Sequence, residues 1–155
     1  MENEQDVVRE IKHAVIRLLA RREYCHYELT QRLEKKYDAD LVEQVLAQLE
    51  EDGYVSEQRF IESYVRNKLS QGYGYQRIRF DMQQKRVDQT KLEAVLEELA
   101  PDWFELASEA YQRRFRERPN GDYKLFGKQM RFLLQRGFSM DEARAAIDGA
   151  DDLYE

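Results

Sequence analysis

Val42-Glu-Gln-Val-Leu-Ala-Gln-Leu49 carries its apolar residues at Val42, Val45, Leu46 and Leu49, the 3-4-7 spacing that lines one face of an α-helix. Fifty residues later the same positions read Leu92, Val95, Leu96 and Leu99, and a further fifty-one residues on they read Ala143, Ala146, Ile147 and Ala150. Glu43 recurs as Glu93, and Lys35 and Asp38 recur as Lys85 and Asp88. Self-similarity at a fixed period of this length marks a chain of stacked supersecondary units. The third copy is rich in alanine, so its helix is expected to pack most weakly.

Working outward, each striped helix follows a basic one. Leu29 and Leu33 in the first unit correspond to Ile78 and Met82 in the second, and Met130, Leu133 and Leu134 serve in the third. The breaks after these helices are Lys36-Tyr37-Asp38, Arg86-Val87-Asp88 and Gly137-Phe138-Ser139, where Gly137 suits the residue just past a helix C-terminus. Thr90-Lys-Leu-Glu93 and Ser139-Met-Asp-Glu142 fit capping boxes at the next helix starts. A third helix opens each unit: one through Val7, Ile11, Val15, Leu18 and Leu19, one through Phe60, Ile61, Tyr64, Val65 and Leu69 with Ser56 as its N-cap, and one through Trp103, Phe104, Leu106, Ala107, Ala110 and Tyr111. Gly72-Tyr-Gly74 and Pro119-Asn-Gly121 read as interhelix turns. No segment of useful length shows strand alternation. The expectation is an all-α chain of three tandem three-helix units, drawn at residues 1–55, 56–101 and 102–155, forming an elongated, curved molecule.

Composition agrees. The 155 residues include 7 Gly and 2 Pro, little turn punctuation for an all-β chain. Ten Tyr and seven Phe argue against disorder. No apolar run approaches a membrane span, the acidic N-terminus lacks the features of a signal peptide, and a single cysteine fits a reducing cytoplasm. The net charge of −6 hides alternating bands. Residues 58–87 hold seven basic and two acidic side chains, residues 88–110 one and seven, and residues 111–136 eight and two. Such segregation presents basic surfaces to an anionic partner.

The stretch Gly53-Tyr-Val-Ser-Glu-Gln-Arg-Phe60, Tyr64-Val-Arg-Asn-Lys-Leu69, Gly72-Tyr-Gly74 and Arg77-Ile-Arg79 through Lys85 resembles the RecX family of bacterial regulators of the RecA recombinase. Phe132-Leu-Leu-Gln-Arg-Gly-Phe138 fits the last repeat of that family, and Glu28-Leu29 with Arg32-Leu33 its first. The resemblance spans about residues 8–150 and implies three tandem three-helix repeats. It also implies binding in the helical groove of the RecA filament on single-stranded DNA, with suppression of ATP hydrolysis, strand exchange and co-protease activity, and shortening of the filament. The sequence departs from the pattern at Tyr75 (usually proline), Arg86 (usually glycine), Ser56-Glu57 (usually an acidic pair) and Phe80 (usually polar).

No enzyme site is visible, and no cofactor or metal is expected. Adjacent helical residues such as Cys25 and His26 point about 100° apart and do not converge on a ligand. Gly72-Tyr-Gly74 lacks the third glycine and strand-to-helix context of a phosphate loop. The candidate binding residues are basic: Arg66, Lys68, Arg77, Arg79, Lys85 and Arg86 in the second unit, and Arg113, Arg114, Arg116, Lys128, Arg131 and Arg136 in the third. With Ile78 and Met82 buried, Arg77, Arg79 and Arg86 are expected to reach solvent. Tyr73 and Tyr75 are candidates for stacking on bases. Phe80 points away from the buried stripe and is expected to dock on a neighbouring repeat. The implied partners are the RecA filament and single-stranded DNA, the latter bound weakly or through RecA, by a monomer with no membrane association. The competing readings are a direct DNA-binding protein and a helical-repeat adaptor.

Overall fold

A computed structural model describes residues 3–149. Nine helices and no strand occur among them: α1 (Glu4–Leu19), α2 (His26–Leu33), α3 (Ala39–Glu51), α4 (Glu57–Ser70), α5 (Tyr75–Gln84), α6 (Gln89–Leu99), α7 (Trp103–Arg114), α8 (Tyr123–Gln135) and α9 (Met140–Gly149). Each consecutive triplet closes over its own apolar cluster. Val42, Val45, Leu46 and Leu49 meet Ile11, Val15 and Leu29 in the first. Leu92, Val95 and Leu96 meet Phe60, Ile61, Ile78 and Met82 in the second, and Ala143, Ala146 and Ile147 meet Ala107, Tyr111 and Leu133 in the third. The aligned stripes are therefore equivalent core positions; Ala150 lies outside the described residues.

Helix starts follow the capping chemistry of short oxygen-bearing side chains. The Ser56 hydroxyl accepts from the Arg59 N–H at 3.2 Å. Ser139 and Glu142 form the reciprocal box, at 3.1 and 2.9 Å. The box expected at Thr90 is displaced: Asp88 is the N-cap of α6, and its carboxylate accepts from the Thr90 N–H at 2.8 Å. A carboxylate both caps the helix and meets its positive end, so it prevails over the later hydroxyl. Asp38 does the same for α3, which explains why the Asp38–Asp88 pair recurs.

Two further expectations change. The alanine-rich α9 is not the most weakly packed helix. It packs against α7 in the most extensive helix–helix contact among the described residues, because small side chains let backbones come together, and Ala143, Ala146 and Ile147 are buried. Phe80 does not dock on a neighbour; it is 56% exposed. The second unit meets the third through the N-terminus of α5, which leaves the outer face of that helix uncovered.

That junction is made of backbone. The Gly74 N–H donates to Arg136 O at 2.8 Å and the Gln76 N–H to Gly137 O at 3.0 Å. A Cβ on Gly74 would lie 2.6 Å from Gly137 C, and one on Gly137, whose φ is 99°, would lie 2.5 Å from Arg77 Cβ. The first junction places Cys25, the N-cap of α2, against the corresponding turn of the second unit: its Sγ is 3.9 Å from Lys85 O and lies in the second core. Arg86 holds the place that Gly137 holds one unit later, and it keeps the left-handed conformation, with φ 55°.

Candidate functional site

The basic residues of the second and third units fall into three groups. One surrounds the α4 C-terminus. A helix end carries unpaired carbonyls and a partial negative charge, so cations gather there. Arg113 Nη1 donates to Ser70 O and Arg136 Nη1 to Gln71 O, each at 3.3 Å. The Tyr73 ring, held in the turn after α4, has three cations around it: Lys68 at 4.7 Å, Arg77 at 5.1 Å and Arg136 at 4.6 Å from its centroid. Arg136 also lies 5.2 Å from Phe132, and Arg114 lies 5.7 Å from Phe132 and 5.4 Å from Phe115. Phe115 and Phe132 meet edge to face at 5.3 Å. Tyr73, Arg136, Phe132, Arg114 and Phe115 thus form an alternating ladder of rings and guanidiniums across the junction of the second and third units.

Arg77 and Arg136 are half-buried rather than freely exposed. Arg77 Nε pairs with Asp81 at 3.2 Å, and the same carboxylate accepts a short hydrogen bond from the Tyr64 hydroxyl. Burial raises the Tyr64 pKa and the bonded Asp81 carboxylate raises it further.

The second group lies at the first junction. Lys85 Nζ donates to Glu28 at 2.8 Å, and Arg22 pairs with the same carboxylate at 3.0 Å. Burial favours the neutral carboxyl of Glu28, but the bonds from Arg22 and Lys85 outweigh it and hold its pKa down at about 2. The exposed Arg86 guanidinium stands 4.8 Å over the Tyr27 ring. The third group, Arg66, Arg79, Arg116, Lys128 and Arg131, is exposed and makes no ion pair among the described residues.

Tyr75 is half-buried and engaged. Its hydroxyl donates to Glu93 at 2.6 Å, a bond that raises its pKa, and its ring packs edge-on against Trp103 at 5.9 Å. Cys25 is buried, which pushes its thiol up to about 11. His26 lies between Glu50, at 2.7 Å, and Glu43, at 3.3 Å. Among the described residues no group of His, Cys, Asp and Glu is arranged to hold a metal, and no helix is long and apolar enough to cross a membrane.

Sequence reasoning placed the cations but missed Phe115 and Phe132 as the rings between them. Phe115, just past the end of α7, and Phe132 on α8 sit where ordinary core residues would. The available signal was arginine at i+4 from Phe132, next to the glycine of Arg136-Gly137.

Models of the first, second and third three-helix domains of RecX match residues 12–49, 56–96 and 101–147. The chain is 36% identical over 143 residues to a regulatory protein RecX of Ectopseudomonas mendocina, covering 92% of this chain and 95% of the relative. It is 37% identical over 142 residues to one of Vibrio parahaemolyticus, covering 91% and 92%. A crystal structure of regulatory protein RecX superposes with a TM-score of 0.77 over 93% of this chain and 74% of the other; at 21% identity it speaks for the fold.

Proposed function

The chain belongs to the RecX family of regulatory proteins, and from that premise we propose that it binds the RecA filament on single-stranded DNA and restrains RecA. The restraint covers ATP hydrolysis, strand exchange and co-protease activity, and so tempers recombinational repair and the SOS response. The protein acts without catalysis of its own, in the cytoplasm and as a monomer. Its three units, at 1–55, 56–101 and 102–155, spread contacts along the filament.

The observation that carries this reading is the set of cations left unpaired on a protein of net charge −6. Exposed ion pairs form cheaply wherever acids are near. Yet among the described residues Arg66, Arg79, Arg116, Lys128 and Arg131 make no ion pair while carboxylates concentrate on α3 and α6. An acidic protein with localised basic faces is poorly suited to bind naked DNA strongly, and well suited to an assembly that presents phosphates within a protein groove.

The test is RecA ATPase on single-stranded DNA with and without the protein. Inhibition is expected, and it is expected to weaken in Arg79→Glu/Arg131→Glu, whose circular dichroism and melting stay those of the parent. Arg79 and Arg131 suit this purpose better than Arg77 and Arg136, which hold the structure together. No effect of the parent on RecA ATPase refutes the reading.

A further inference from the structure

The ladder at the second junction borders a cleft of about 210 Å³ between the α4 turn, α7 and α8. Arg113, Arg114 and Arg136 line it together with Phe132, and Gly72 and Ala110 form its small-residue side. Among the described residues no carboxylate lines it. Glu109 approaches Arg113 only at 3.9 Å, and Asp81 is occupied by Arg77 and Tyr64.

The three guanidiniums are anchored before any ligand arrives. Arg113 and Arg136 rest on the carbonyls of Ser70 and Gln71, and Arg114 and Arg136 lie near aromatic rings. A guanidinium that stacks by its face keeps its in-plane N–H donors for an oxyanion. These contacts lower the side-chain freedom that binding must remove. One bidentate guanidinium satisfies a carboxylate or a single phosphodiester, each with two terminal oxygens and one charge; three on one cleft, with Lys68 and Arg77 beyond them, suit the successive phosphates of a strand. Lys68 and Arg77 carry positive charge onward from the cleft past Tyr73 toward α5.

We propose that this cleft binds a phosphodiester of single-stranded nucleic acid, so that the junction of the second and third units is the face turned toward the DNA strand. The assignment rests on the reading of the protein as a ligand of a DNA-bound filament, and names which surface meets the nucleic acid.

The experiment measures fluorescence anisotropy of labelled oligothymidylate with the full chain over a salt series. The parent binds, with affinity falling as salt rises. Arg114→Gln, which removes a side chain whose contacts among the described residues are with rings, lowers affinity about tenfold, as expected for one charge-assisted contact. It also lowers the slope of log affinity against log salt by about 0.7, as expected for one phosphate contact on a single strand. Arg114→Lys weakens binding but keeps the slope, and Arg144→Gln, an exposed change on α9, alters neither. The proposal is overturned if Arg114→Gln behaves as the parent, if the parent does not bind oligothymidylate, or if ATP or polyglutamate displaces the oligonucleotide as effectively as unlabelled oligothymidylate does. Parallel RecA ATPase assays separate the two readings. Inhibition by the parent with unchanged DNA binding by Arg114→Gln refutes the cleft alone. Loss of DNA binding in Arg114→Gln, with no effect of the parent on RecA, refutes the regulatory reading alone.

Discussion

Gly74→Ala tests whether the second and third units are locked by backbone contact. Gly74 has an ordinary extended φ of −97°, so alanine brings no backbone strain and the change probes space alone. The added Cβ would meet Gly137 C at 2.6 Å, Gly137 O at 2.7 Å and Phe138 N at 2.7 Å, all of them backbone atoms. Two responses are open. If the junction holds, overpacking costs about 1–3 kcal/mol. If it opens, the bonds from Gly74 N–H to Arg136 O and from Gln76 N–H to Gly137 O are lost, at about 0.5–1.5 kcal/mol each. The protein takes the cheaper path, so the expected destabilisation is about 1–3 kcal/mol by either route, and alanine is also a poorer N-cap than glycine. For a chain of this size each kcal/mol lowers Tm by about 2–4 °C. Gly127→Ala is the control: Gly127 lies within α8, where a Cβ meets only Arg131 Nη1 at an ordinary 3.7 Å. Alanine there removes glycine's flexibility and is expected to stabilise by about 0.5–1 kcal/mol. Urea unfolding of both variants reads the difference. If Gly74→Ala unfolds at the parent's midpoint, the junction is not the close contact described.

Leu46→Ala and Leu96→Ala remove buried leucines from equivalent positions and should each cost about 2–5 kcal/mol in urea unfolding. Ile147→Ala should fall in the same range, because α9 is packed as fully as its counterparts; a near-zero cost would restore the expectation of a loose third helix. Arg86→Gly should be more stable than Arg86→Ala by about 1 kcal/mol, since both lose the contact with Tyr27 but only glycine adopts φ 55° without strain. Equal melting of the two contradicts that. The His26 pKa is raised above its usual 6.5: burial opposes the charge, and the bonds that the ring donates to Glu50 and Glu43 overcome it. A raised folded pKa contributes stability below about pH 6.5 and loses it as pH climbs through the folded value. His26→Ala should therefore cost more at pH 6 than at pH 9, and a cost independent of pH would remove the ion pair from the account.

The three-unit plan was legible because an apolar stripe at helical spacing has one economical use, burial, and the stripes repeat in register. Gly137 was legible because the end of a helix after a basic segment calls for a left-handed residue. What escaped was how the units meet. Gly74 pressed on Gly137 leaves no side-chain pattern, since its content is the absence of two Cβ atoms. Phe80 was misjudged because its direction on the helix can be computed, while the position of the next unit cannot. The cations of the site were visible as charge bands, but their division into paired, ring-anchored and free groups depends on neighbours such as Asp81, Glu28 and Phe132, brought near by folding. Alanine in the third stripe suggested lost area, whereas it also permits a shorter distance between helices.

Cys25 belongs to the first unit by sequence and to the second by burial. Its backbone N–H donates to Glu28 at the start of its own helix, and its side chain fills space beneath its neighbour's turn at Lys85. Separating the two units exposes a thiol that sits at 0% in the intact protein and strips an apolar contact from the second core. Melting is then shared between neighbours, and a fragment cut near residue 55 forfeits part of the stability that each piece shows in the whole. The cysteine acts as a shared stitch, and its protection from thiol reagents reports whether the first two units are still together.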